Sequence, residues 1–246
     1  MSKIAYSFAL ACALSAIPGF SEGWMDSKAS DVFDTVKGKI EIVFLGHSSL
    51  IFIYNGAYFY IDPVCEYGNY SNYPKADAIL VTHEHFDHLD PKAIDILSKP
   101  GTGIVVSGSS RAKLGKGELL EHGAQIEIAG ISITAVPAYN VTVGRTGYHP
   151  KGRYDNGYII SAGELRIYIA GDTEPIPEMG NLGRIDIAFL PMNQPYTMTP
   201  EQVADAVATI KPKILYPYHF GTTDTNALMK LLKDNKETEI RIRKLQ

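Results

Sequence analysis

Within six residues the chain carries three histidines and an aspartate, in the order His83, His85, Asp87 and His88. They follow directly on AILVT at 78–82, an uninterrupted apolar run that reads as a buried strand. In an extended segment residues i and i+2 share a face, so His83 and His85 point to one side. Asp90 as a cap and Pro91 at the first helical position start a helix, and the turn into it carries Asp87 and His88 to a second point nearby. Three neutral imidazoles and a carboxylate crowded at a strand end would repel one another or lie unsatisfied without a cation, so the run reads as a metal site. Such a site asks for a fold that gathers several strand ends at one edge.

Composition narrows the ligand chemistry. The 246 residues include 7 His but only 2 Cys, which excludes a four-thiolate knuckle or a disulfide framework and leaves imidazoles and carboxylates. The length suits one domain or a tight pair of halves. With 27 Asp+Glu against 23 Lys+Arg, the net charge of -4 lacks the positive field of a nonspecific nucleic-acid binder, so no nucleic-acid partner is expected. Residues 1–21 read as a signal peptide: Lys3, an apolar stretch from 4 to 17, Pro18 and Gly19 as breakers, and small residues for cleavage. The stretch is too short and interrupted for a stable membrane span. Ala9 stands where a lipid-anchoring signal around Cys12 would have Leu. The expectation is a periplasmic or secreted protein with one domain over 22–246, its only remaining thiol Cys65. If the segment is instead an N-terminal helix of the domain, the protein is cytoplasmic.

From Gly38 onward strands and helices alternate without a linker or a short repeat. Residues 40–46 and 49–54 are strand-like, and Asn55 with Gly56 signals a hairpin returning at 57–62. Further strands are expected between 103 and 137, at 157–161 and 165–171 across Ala162 and Gly163, at 185–191, 213–217 and 239–245. Thr199 to Gln202 spells a capping box, with Val203, Ala204, Val207 and Ile210 on one helical face, and a second helix is expected at 225–234. Hairpins first and helices between later strands imply sheets covered by helices, an α/β layered sandwich.

Two more ligands lie at other strand ends. Asp172 follows an apolar strand and Gly171, which lets backbone approach a site closely. His219 follows the strand at 213–217. Each is weak alone, and their strength is their shared topological position with the histidine run. His47 has two readings, a turn histidine or a proton relay and substrate contact at the metal cleft. His122 reads as an ordinary helix-end histidine. Tyr67, Tyr70 and Tyr73 form an aromatic loop past Asp62, either a substrate groove or plain surface.

These elements together resemble the metallo-β-lactamase-fold hydrolase superfamily from about residue 40 to 220. The matching pieces are Gly46, His47, Ser48 and Ser49, Asp62 with Pro63, the run at 82–90, the segments at 137–140 and 149–152, Gly171 to Thr173, and Pro217 to His219. The Gly-His-Ser-Ser opening and the stretch at 196–199 look like the branch of ascorbate-phosphate-lactonase-like and phospholipase-D-like members rather than antibiotic-destroying enzymes. The resemblance implies a four-layer αββα sandwich with two divalent cations at one edge, usually zinc, with manganese or iron(II) as alternatives. It places His83 and His85 on the first metal, Asp87, His88 and His219 on the second, Asp172 between them, and Asp62 behind a ligand imidazole. Many members have His where this chain has Asn140, and His149, nine residues on, is the expected replacement on the first metal. Otherwise that metal is held weakly or the site is mononuclear.

The expected activity is hydrolysis by a hydroxide held between the metals, attacking an ester, lactone, amide or phosphodiester of a small-molecule substrate. Asp172 and Asp87 would position it, and Asp87 would pass a proton to the leaving group. Tyr139 or Asn140 would donate to the oxyanion. The alternatives are a non-catalytic metal-binding or sensory module and a true class B β-lactamase.

Overall fold

The computed structural model describes residues 28–245, and the expected signal peptide with Cys12 lies outside them. Among the described residues fourteen strands form two sheets of seven. The first runs β1 (Ser30–Thr35), β2 (Gly38–Gly46), β3 (Ser49–Tyr54), β4 (Ala57–Ile61), β5 (Ala78–Val81), β6 (Gly103–Val106) and β7 (Glu118–Leu119), neighbours in that order. The second holds β8 (Gln125–Ile128), β9 (Ile131–Ala138), β10 (Asp155–Ala162), β11 (Leu165–Ile169), β12 (Ile187–Pro191), β13 (Ile214–Tyr218) and β14 (Glu239–Ile240). In both sheets the first four strands pair antiparallel and the last four parallel.

The period-two pattern of β2 sends Ile40, Ile42 and Phe44 into a core shared with Tyr158, Ile167 and Phe189 of the second sheet. Val43 and Leu45 face the other way, into a smaller core closed by Ala93, Ile94 and Leu97 of helix α1 (Pro91–Leu97). All five residues of β12 are buried, as expected of a parallel strand covered on both faces. Helix α3 (Pro200–Ile210) joins that core through Val203, Ala206, Val207 and Ile210. The result is the αββα sandwich. Among the described residues no helix is long and apolar enough to cross a membrane.

Several local expectations need correction. The apolar face of α3 uses Ala206 in place of Ala204, because i+3 and i+4 from Val203 fall on 206 and 207. Helix α2 (Gly108–Leu114), capped by Ser107, and strand β1 were not foreseen. His122 ends no helix: it lies in a turn between β7 and β8, its Nε2 3.0 Å from the Asp155 carbonyl oxygen. Helix α4 (Thr225–Leu231) is shorter than expected, and β14 stops at Ile240 rather than 245.

Candidate metal centre

The ends of β2, β4, β5, β9, β11 and β13 meet at one edge of the sandwich. After β5 the chain bends, and the His85 carbonyl accepts from both His88 N (3.0 Å) and Leu89 N (2.8 Å). That tight turn points His83 and His85 one way and Asp87 and His88 another. Asp172 arrives after Gly171, whose φ is 66° and where a Cβ would lie 2.6 Å from the Asn156 carbonyl oxygen, so only glycine fits there. Three side chains of the edge, His47, Asp62 and His219, stand on non-glycine residues with φ of 51°, 42° and 47°. Left-handed backbone is costly for such residues and is concentrated at working sites.

Three overlapping groups have donor atoms within 4.8 Å of one another: His83, His85 and His149; His47, Asp87, His88 and His219; and His83, His88 and Asp172. Asp172 is central. Its Oδ1 lies 3.4 Å from His88 Nε2, and its Oδ2 lies 3.4 Å from His149 Nε2, 3.3 Å from His219 Nε2 and 3.9 Å from His83 Nε2. His83 Nε2 and His85 Nδ1 are 3.1 Å apart. His88 Nε2, His219 Nε2 and Asp172 Oδ1 are buried with no hydrogen-bond partner. Buried polar atoms are almost always satisfied, so orphans converging on one point fit a cation among them. His149, not Asn140, stands beside His83 and His85.

The electrostatics divide the imidazoles: burial would lower His88, but Asp172 and Asp62 hold it well above the usual histidine range, whereas the histidines beside it on the other side are kept neutral. Burial, reinforced by neighbouring imidazoles, holds His83 well below the usual histidine range and His85 down to about 4, in the neutral form that ligates. Burial would raise the Asp172 carboxyl, but His219, His88 and His83 outweigh it and hold it well below the usual range. Burial would likewise raise Asp87, and bonds from His219 and His47 bring it far down. His47 Nε2 lies 3.2 Å from Asp87 Oδ2, and its ring stacks on Tyr67 at 5.5 Å. Tyr70 is buried in the smaller core.

Outside the converging donors sits a ring of supports. Asp62 is wholly buried, accepts from Thr82 N (2.8 Å) and Thr82 Oγ1 (2.7 Å), and lies 2.8 Å from His88 Nδ1, which orients that imidazole. Asp155, not singled out from sequence, stands 3.6 Å from His149 Nδ1 and accepts from Ser109 Oγ at 2.6 Å. The partner of His85 differs in kind: Arg153 Nη1 lies 2.8 Å from His85 Nε2, with Arg153 Nε 3.2 Å from Asp155 Oδ2. No spacing in the sequence marks Arg153 or Asp155.

Tyr139 and Asn140 turn elsewhere. The Tyr139 hydroxyl donates to Glu178 (2.8 Å) and accepts from Lys151 (3.2 Å). The Asn140 amide donates to the carbonyls of Arg145 (3.2 Å) and Tyr196 (2.7 Å), which braces loops and leaves no hydrogen for an oxyanion. Arg145 is the hub of that bracing: it pairs with the fully buried Glu174 at 2.6 Å and donates to Gln194 Oε1 at 2.7 Å.

A cleft of about 340 Å³ opens over Asp87, His149, Asp172 and His219, walled by Phe86, Tyr148, Asn193 and Tyr196. A larger cavity of about 430 Å³ beside His122 and Tyr154 has no converging donor set among the described residues, so chemistry rather than size identifies the site.

Comparison with known proteins places this geometry. Residues 41–219 match the family model described as "Beta-lactamase superfamily domain". A UPF0173 metal-dependent hydrolase from Methanopyrus kandleri is 33% identical over 201 residues, covering 74% of this chain and 85% of its own. A crystal structure from Parabacteroides distasonis, described as a metal-dependent hydrolase, is 51% identical with a TM-score of 0.86, covering 89% of this chain and all of the other. A diiron β-hydroxylase from Streptomyces venezuelae, 18% identical with a TM-score of 0.66 over 82% of this chain and 52% of its own, shares the fold alone.

Proposed function

The chain belongs to the β-lactamase superfamily domain family, and from that membership we propose that it is a metal-dependent hydrolase with a dinuclear centre, acting on an ester, lactone, amide or phosphodiester bond of a small molecule. The convergence of donor atoms from His83, His85, His149, Asp87, His88 and His219 around Asp172 carries this reading. Imidazole with carboxylate suits zinc, and manganese or iron(II) accept the same donors. When bound, the two cations bring a water's pKa down from 15.7 to about 7 and polarise the bond under attack.

The chain's own groups do the rest. Asp172, which stands between His83 and His149 on one side and His88 and His219 on the other, would be shared by both sides of the centre. Asp87 faces the cleft, where its carboxylate would orient the attacking water and pass a proton to the leaving group. His47, kept neutral by burial, fixes the Asp87 carboxylate through its Nε2. Asn193 is the amide residue among the described residues of the cleft wall, and it would meet the substrate's polar atoms.

Metal analysis of the purified protein, paired with an ester, lactone and phosphodiester panel with and without chelator, tests the proposal. Two metals per chain, falling to one in His149→Ala, with chelator-sensitive turnover, is the expected result. Asp87→Asn should lose at least about 100-fold in kcat. Bound metal with no turnover on any of these bonds would instead mark a metal-binding module, and full activity in Asp87→Asn would remove its assigned role.

A further inference from the structure

Three aromatic rings stand exposed at the cleft without a folding reason. Phe86, between His85 and Asp87, is 78% exposed; Tyr148, just before His149, is 37% exposed; and Tyr196 is 45% exposed. Single exposed apolar residues are ordinary, but three rings around one metal-lined opening form a patch. The Tyr148 and Tyr196 rings meet edge to face, 5.0 Å apart at 78°. Both are held by committed backbone. The Tyr196 carbonyl accepts from Asn140, its N–H donates to Asn193 O at 2.9 Å, and the Tyr148 carbonyl accepts from Arg153 Nη1 at 3.2 Å. The backbone of Phe86 lies in the turn from His85 to His88. Rings carried on anchored backbone lose less freedom on binding than rings on a mobile loop.

Charge completes the picture. Among the described residues that line the cleft there is no Lys or Arg, and the ionisable side chains there, apart from the two tyrosines, are the carboxylates and imidazoles of the centre. The nearest guanidinium, Arg153 behind His85, is already engaged with Asp155 and the Tyr148 carbonyl, so a charged group on the part of a substrate remote from the reacting bond would find no partner among the residues lining the cleft.

We propose that the substrate's remote portion is an uncharged aromatic group, seated between Phe86 and the Tyr148–Tyr196 pair while the scissile bond faces Asp87 and Asp172. This rests on the hydrolase reading above. The cleft lies at the small end of the range for small-molecule sites, which fits a compact aromatic ester, lactone or amide rather than a polymer.

Hydroxamates, which chelate divalent metals, separate the two readings without turnover. Zinc-loaded protein is titrated calorimetrically with acetohydroxamate, phenylacetohydroxamate, cyclohexylacetohydroxamate, and analogues ending in carboxylate or trimethylammonium. The phenyl compound should bind about tenfold more tightly than acetohydroxamate, from two ring contacts, and more tightly than the cyclohexyl compound. In Phe86→Ala and Tyr196→Ala the phenyl-to-acetyl affinity ratio should fall toward one, and Phe86→Leu, which keeps bulk without the π face, should fall between. Equal binding of phenyl and cyclohexyl compounds, or preference for either charged analogue, overturns the aromatic assignment while leaving the metal centre standing. Failure of acetohydroxamate to bind the loaded protein overturns the metal centre, and this proposal with it.

Discussion

The residue that most departs from ordinary ligand support is Arg153. A metal-binding histidine usually turns its outer nitrogen to a carboxylate or carbonyl, as His88 does toward Asp62. His85 instead faces a guanidinium, a donor with no acceptor, whose positive charge opposes a cation on the far side of the ring. The first proposed site should therefore hold its metal less tightly than the second, which has Asp87 as a proposed ligand and Asp62 behind His88. Arg153→Gln should tighten the weaker equivalent by about tenfold and Asp62→Asn should loosen the tighter one by about 10- to 100-fold, read by competition with a chromophoric chelator. Arg153→Lys keeps the charge and should behave as wild type. If Lys and Gln variants tighten equally, packing rather than charge is responsible. The proposed ligands were legible as candidates because four of them lie within six residues. Arg153, Asp155 and Asp62 support them from other elements, and only Asp62, at a recognisable strand end, could be read from the sequence.

At the scale of elements, the loop between β9 and β10 decides where His149 stands. It is held by one buried pair, Arg145 with Glu174, whose Oε2 also accepts from the N–H groups of Val141 (2.7 Å) and Thr142 (2.6 Å). Burial would raise Glu174, but these bonds and Arg145 keep it ionised. Arg145→Met strands that carboxylate and should cost about 3–5 kcal/mol of unfolding free energy by urea titration of the metal-free protein. It should also release the His149 loop from the Tyr196 turn, so the weaker metal is lost with it. A variant as stable as wild type would mean that the two N–H bonds suffice. The sequence offers no hint of this clamp, since its members are 29 residues apart and neither belongs to a motif. Strand β1 escaped notice for a related reason: its exposure alternates, its inward residues are only half-buried, and its register comes from β2. Helix α2 is short and rich in Ser and Gly, so its cap at Ser107 has no apolar period behind it. The capping box at Thr199 and Gln202, by contrast, is a local signal and forms as spelled.

For the whole molecule, the two sheets repeat one connectivity, and the working residues recur at matching places. Asp62 follows the fourth strand of the first sheet and Asp172 the fourth of the second, while His47 lies between the second and third strands of one and His149 between those of the other. The centre is thus built from both halves and depends on how they are clasped. One clasp joins β1 to the far sheet: Asp31 bonds with the Tyr216 hydroxyl of β13 and with Arg243 Nη2 at 2.7 Å, and lies 3.4 Å from Arg241 Nη1. The alternation expected beyond β14 survives here as two inward arginines, although pairing stops at Ile240. Burial would raise the Asp31 carboxyl, but Arg243 and Tyr216 hold it below the usual range. A depressed folded-state pKa means the clasp stabilises fully above the unfolded value of about 3.9 and is lost as pH falls through the folded value. Asp31→Asn should be less stable than wild type by about 1–3 kcal/mol near neutral pH. That gap should close progressively below pH about 4 in urea titrations of the metal-free proteins. A gap that persists unchanged in acid would mean the carboxylate's charge does not hold the halves together, and the clasp would then be a matter of shape.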